Sequence, residues 1–137
     1  MKKIILILTA LLGFPLLSGA SPVPKEIYSQ FKGVKIADLQ RDIDLTDGVL
    51  WLRMNFDEPI PEVLGKSIVF NETCLNMHLN PKIWKKYPVK QIKVTTLVEW
   101  RAYIFNGGQK ECNEIYMKDG VEKRYKTAPY FELWERK

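Results

Sequence analysis

The chain has 137 residues, 46% of them apolar and 12% aromatic, with a formal net charge of +5. That is one domain's worth of sequence, large enough to close a single core without several covalent staples. Two cysteines and one histidine are too few for the usual zinc ligand pairs, and no metal or other cofactor is expected.

Residues 1–20 read as an export leader: Lys2 and Lys3, an apolar run over 4–17, then Ser18, Gly19 and Ala20, small side chains of the kind a signal peptidase accepts. The apolar run is short for a membrane span and is followed by Ser-Pro-Val-Pro. Cleavage after Ala20 and a single exported domain over 21–137 are therefore expected, with no stable membrane anchor left behind. Cleavage removes two lysines and no acid, leaving 117 residues at +3. Outside the cytosol thiols oxidise, so Cys74 and Cys112 are expected to form a disulfide. The short Lys-Lys leader rich in Ile and Leu is of bacterial type. It points to a periplasmic or secreted location and makes the acceptor-like triplet Asn71-Glu72-Thr73 a chance match for glycosylation.

Taken in order, Pro24 opens a predicted N-terminal helix of about eight residues, whose apolar positions Ile27, Tyr28 and Phe31 recur at helical spacing before Gly33 stops it. Residues 34–43 fit either one helical face, through Ile36, Leu39 and Ile43, or an irregular cover. Asp42, Asp44, Asp47 and Gly48 form a polar break before a strand over 49–56. In that strand Leu50, Leu52, Met54 and Phe56 face inward, and Val49, Trp51, Arg53 and Asn55 face the other way. Two prolines turn the chain at 57–66, with one helical turn at 61–64. Extended structure is expected to resume over 67–79, Asn80-Pro81 closes it, and 81–87 fits one short helix before Pro88.

The longest run with strand chemistry is 88–108, where Ile92, Val94, Thr96, Val98, Trp100, Ala102 and Ile104 alternate with Lys93, Thr95, Leu97, Glu99, Arg101, Tyr103 and Phe105. Straight, it would span about 45 Å, so a bulge or bend near 99–102 is expected. Asn106-Gly107-Gly108 is a turn and 111–118 a strand. Asp119-Gly120 is a two-residue hairpin signal with Val121 and Tyr125 beyond it, and 130–134 is a last short strand. The fold class that follows is α+β: an antiparallel β-sheet of about five to seven strands, one N-terminal helix packed on it, and a short helix near 81–87.

No catalytic constellation emerges. His78, the lone imidazole, sits in Cys-Leu-Asn-Met-His-Leu with no serine elbow, no HExxH pattern and no cysteine left free to pair with it. Asp42, Asp44 and Asp47 at their spacing are turn and cap residues rather than a working carboxylate pair or a calcium loop, which needs twelve residues and a closing Glu. The positive signals are aromatic and basic. Lys82, Lys85, Lys86, Lys90, Lys93 and Arg101 stand against Glu99 alone, interleaved with Trp84, Tyr87 and Trp100, while 38–62 carries seven acids against Arg41 and Arg53. Such polarity would steer an anionic partner to one side. Four tryptophans and six tyrosines exceed what a small core needs. Trp51, with Arg53 and Asn55, would line the uncovered face of a one-sheet domain and be packed away in a sandwich. The candidate contact residues are Trp51, Arg53, Trp84, Lys85, Lys86, Tyr87 and Lys90.

By subtraction, the expected function is non-enzymatic: a small exported protein of the bacterial envelope acting by protein–protein recognition, as an inhibitor, an immunity-type factor or an accessory subunit of an envelope or secretion assembly. Its partner would be another protein or an anionic envelope component; nucleic acid is not expected outside the cytosol. The alternative is a periplasmic small-molecule or glycan-binding domain in which Trp51 or Trp84 stacks on a ring and Arg53 or Lys86 holds a polar group. A hydrolase would need a carboxylate pair converging in a cleft.

Overall fold

The computed structural model describes residues 23–36, 38, 39, 41–98, 101–118 and 131–137. The expected leader at 1–20, Trp100, and the Asp119-Gly120 turn with Val121 and Tyr125 lie outside them. Helix α1 (Lys25–Tyr28) continues as a 3₁₀ turn (Ser29–Phe31). Strands β1 (Ile43–Thr46) and β2 (Val49–Met54) then form a hairpin. Asp47 and Gly48 close it at positive φ, 52° and 78°, the paired left-handed conformation that matches strand twist and that Asp-Gly tolerates. The polar break before the strand at 49 is thus itself a tight turn.

Between β2 and the next strand the chain is helical. Helix α2 (Glu62–Ser67) runs without a break through a π-helical stretch (Ile68–Cys74) into α3 (Leu75–Leu79), and α4 (Pro81–Lys86) follows Asn80. This corrects the extended structure expected over 67–79, and the cause is local. In the π stretch and α3, three adjacent buried residues, Ile68, Val69 and Phe70, are followed by Thr73 and Cys74 and then by Met77, a run too continuous to read as one helical stripe. The Thr73 hydroxyl donates to the Ile68 carbonyl five residues back at 2.9 Å. A wider turn combined with β-branched side chains hides the helix from a 3.6-residue period.

That crossover allows strand β3 (Gln91–Thr96) to return parallel to β2, Leu50 beside Ile92 and Leu52 beside Val94. Strand β4 (Arg101–Phe105) pairs with β3 antiparallel, helix α5 (Gln109–Lys118) follows, and β5 (Phe131–Glu135) pairs antiparallel with β4. The sheet order is β1-β2-β3-β4-β5. The fold is α+β as expected, but the sheet is mixed rather than antiparallel throughout. The single long strand expected over 88–108 is two strands, β3 ending at Thr96 and β4 starting at Arg101; of the bend expected near 99–102, residues 99 and 100 lie outside the described residues. The strand expected over 111–118 is α5: buried Cys112 and half-buried Ile115 and Tyr116 keep helical spacing, and the Gly108 N–H donates to the Glu111 carboxylate at 2.8 Å, half of a capping box.

The helical layer comes from the middle of the chain and not from an N-terminal helix. Helix α1 has room for little beyond Ile27, with Phe31 of its 3₁₀ turn meeting Trp84 edge-on (ring centroids 6.3 Å, 80°). Leu50, Leu52 and Met54, with Ile92, Val94, Tyr103 and Phe105, form the sheet's half of the core. Phe70 of the π stretch meets Phe105 edge-on at 5.7 Å. Cys74 and Cys112 form the expected disulfide, Cα atoms 4.8 Å apart and both residues fully buried.

Helix α2 crosses β4 at Gly65, where a Cβ would overlap the Tyr103 ring. Tyr103 is fully buried and its hydroxyl donates to the Ile60 carbonyl, so the ring has nowhere to go. Gly65→Ala is expected to destabilise by about 1 to 3 kcal/mol in urea unfolding; an unchanged midpoint would mean that α2 can lift off the sheet freely.

Candidate recognition surface

The acidic string does not assemble. Asp42 is buried at 3% exposure. Its carboxylate accepts from Arg41 Nε and Nη2 and from the Asp38 N–H, each at 3.1 Å. The hydrogen bond to Asp42, then its charge, raises the Arg41 pKa above its ordinary value. Asp44 accepts from the Thr46 hydroxyl at 2.9 Å, and Asp47 occupies the turn. His78 places Nδ1 3.0 Å from Asn113 Oδ1 and stacks on Tyr116 at 5.8 Å, between α3 and α5. Among the described residues no three His, Cys, Asp or Glu side chains converge as metal ligands would. The Asn71 amide donates to Ser67 Oγ at 3.1 Å within the helical crossover.

The structure divides the seven candidate contact residues between two sides of the sheet. Trp84 is 2% exposed and its Nε1–H donates to Asn76 Oδ1 at 2.9 Å, so it anchors α4 in the core and presents no ring to a partner. Lys85 and Lys86 are exposed on α4. Lys86 pairs with Glu26 at 3.3 Å and the Tyr87 hydroxyl reaches the same carboxylate at 3.4 Å. Lys90 is exposed, its stem lying on Gly48 of the β1–β2 turn. Because Lys86 and Glu26 are both well exposed, reversing the charge of Lys85 and Lys86 together is expected to change stability by less than about 1 kcal/mol. A larger drop in melting temperature would mean that Glu26 ties α1 to α4.

Trp51 and Arg53, both half-buried, stand on the opposite face of the sheet from Leu50, Leu52 and Met54, the face left open among the described residues. Trp51 lies beside Lys93 of β3, and Arg53 beside Thr95, so the four side chains mark the corners of a square. The indole crosses one diagonal, its Nε1–H donating to Thr95 Oγ1 at 2.8 Å. The cations hold the other two corners, Arg53 Cζ 3.7 Å and Lys93 Nζ 4.0 Å from the ring centroid. Two cation heads this close to one centroid would nearly touch if they shared a side, so one stands against each face of the ring. Each contact is worth about 0.5 to 1 kcal/mol at a half-exposed site. Trp134, 45% exposed, rises from β5 on the same face.

Lys93 is the residue that sequence reasoning left out of the candidate set. Its alternation with Ile92 and Val94 placed it on the outer face, but only the parallel β2–β3 register brings it against Trp51. Neighbouring cations are otherwise engaged. Arg101 pairs with Glu135 at 2.8 Å and donates to the Tyr103 hydroxyl, and the latter bond is the main cause of its raised pKa. No known protein family, curated protein or solved structure matches this chain.

Proposed function

We propose that this is an exported, non-enzymatic protein of the bacterial envelope that works by recognising another protein, with the open sheet face around Trp51 as its contact surface. The observation that carries this reading is the doubly flanked indole. A sugar that stacks on Trp51 or Trp84 needs a free face on that ring; the Trp51 ring is flanked by Arg53 and Lys93 and Trp84 is buried. An aromatic edge fixed between two cation heads suits instead the anchored aromatic and Arg positions that dominate protein interfaces. Export rests on the leader pattern at 1–20, and an oxidised cysteine pair is compatible with it. No helix among the described residues is long and apolar enough to cross a membrane.

The test uses the full chain expressed with its leader and recovered outside the cytosol. Its intact mass is expected to correspond to a start at Ser21 and the loss of two hydrogens; retention of 1–20 overturns export. Immobilised on a support, the wild type is expected to retain one protein in stoichiometric amount from an envelope extract, and Trp51→Ala to lose it. The same substitution is expected to lower stability by only about 1 to 2 kcal/mol, through one hydrogen bond and two cation–π contacts. Saturable glycan binding with no retained protein overturns the proposal.

A further inference from the structure

We propose that the partner presents an acidic, extended segment to this face, with two carboxylates binding Arg53 and Lys93 on either side of the Trp51 edge. This rests on the open face being the contact surface and adds the chemistry of what is seated there.

Charge bookkeeping on the molecule gives the first argument. Lys66 pairs with Glu62, Lys86 with Glu26, Arg41 with Asp42 and Arg101 with Glu135. Arg53 and Lys93, like several exposed lysines, have no carboxylate in ion-pair range among the described residues; Asp44, beside Trp51 on the same face, accepts from the Thr46 hydroxyl, and what sets the two cations apart is that they flank a single ring. A partner surface that covered them without supplying anions would leave two desolvated cations unpaired. One that supplies carboxylates gains charge-assisted bonds.

Order at the site gives the second. Long cationic side chains normally lose rotamer freedom when they bind. Here both heads already rest on an indole that is itself fixed by its bond to Thr95, so that loss is largely taken before the partner arrives.

Spacing gives the third and selects the shape of the ligand. Distances of 3.7 and 4.0 Å to one centroid put the cation heads no more than about 8 Å apart. In an extended chain, alternate residues project to one side about 6.6 Å apart. Acidic residues at i and i+2 therefore reach both heads at once. Acids at i and i+1 point to opposite sides and reach only one. A small anion such as phosphate meets one head only, since the ring lies between them.

The experiment titrates the mature, oxidised protein with synthetic peptides by calorimetry. A Gly-Glu-Gly-Glu-Gly-Glu peptide is expected to bind at least about ten-fold more tightly than its all-Gln counterpart and about five-fold more tightly than a peptide with the same acids in adjacent pairs. The Arg53→Gln/Lys93→Gln double variant is expected to lose at least about ten-fold and Arg53→Lys/Lys93→Arg to stay within about three-fold of wild type, with the melting temperature of the Gln variant lowered by no more than about 8 °C through the two lost cation–π contacts. A salt titration on the wild type needs no variant: affinity is expected to fall several-fold between 50 and about 300 mM salt. Binding that ignores peptide charge, ignores the double variant or ignores salt overturns the inference. So does equal affinity for inorganic phosphate, or binding to vesicles containing anionic lipid in preference to the peptide. If the envelope partner is retained equally by wild type and by the Arg53→Gln/Lys93→Gln variant, the acidic-segment inference falls while protein recognition stands; if no protein is retained at all, protein recognition falls.

Discussion

Replacing Cys74 and Cys112 together by alanine is expected to lower stability by about 4 kcal/mol and the melting temperature by roughly 15 °C. The bond joins residues 38 apart in sequence, and closing a loop of that length removes this much entropy from the unfolded chain. Its position favours full expression of that entropy. Cys74 ends the π stretch of the crossover and Cys112 lies in α5, beyond β3 and β4, so the bond fastens two helices that approach each other only after half the sheet is in place. Other contacts across the same seam are polar or partly exposed: His78 with Asn113 and stacked on Tyr116, the Tyr116 hydroxyl donating to the Phe70 carbonyl, and Gln109 donating to the Pro81 carbonyl. Both sulfurs are fully buried beside Met77, so their removal also leaves a small apolar void. Urea unfolding of the double variant checks this. A loss under about 1 kcal/mol would mean that α3 and α5 dock without the tie and that the unfolded chain is already compact there.

Much of the inner architecture was legible in the sequence because it rests on simple periods. Leu50, Leu52 and Met54 alternate with Trp51 and Arg53, and the structure buries the first set completely while turning the second outward. Pro81 opens the short helix α4 where a helix was expected, and Cys74 and Cys112 form the expected disulfide. What failed did so for identifiable reasons. A π-helical stretch with three adjacent buried residues, Ile68, Val69 and Phe70, blurred the helical period, so a helix rich in β-branched side chains imitated a strand. Losing that helix removed the only crossover that could have made β2 and β3 parallel, and the sheet was therefore expected to be antiparallel. The site suffered the same way. Trp51 and Arg53 were separable from the core by alternation alone, but their relation to Lys93 depends on strand register across a crossover, which no local pattern encodes. The expected basic cluster of 82–101 is divided because α4 packs on the helical side of the sheet while Lys93 of β3 projects from the other face beside Trp51, although the two elements adjoin in sequence.

The two tryptophans among the candidate contacts should behave in opposite ways, and Trp84→Ala is the larger effect. Its side chain is 2% exposed, so truncation removes a full indole from a packed interior and is expected to cost about 3 to 5 kcal/mol, lowering the melting temperature by roughly 12 to 20 °C. Part of the loss is geometric: Phe31 of the 3₁₀ turn after α1 loses the ring it meets edge-on. Part is polar: Asn76, which accepts from Trp84 Nε1 at 2.9 Å and donates to Gln30 at 3.2 Å, loses the middle link between α4, α3 and that turn. Trp84→Phe keeps the apolar volume but not the donor and is expected to recover more than half of the stability. Under conditions where the Trp84 variants remain folded, their affinity for the acidic peptide is expected to match wild type. Trp51→Ala is expected to show the reverse, with small loss of stability and large loss of binding, because its indole is only half-buried and orders two cations. A Trp84→Ala protein that unfolds at nearly the wild-type midpoint would show that α4 is not held by this ring. A Trp84→Phe protein that is fully stable yet loses the partner would move the contact surface from the open face to the helical side.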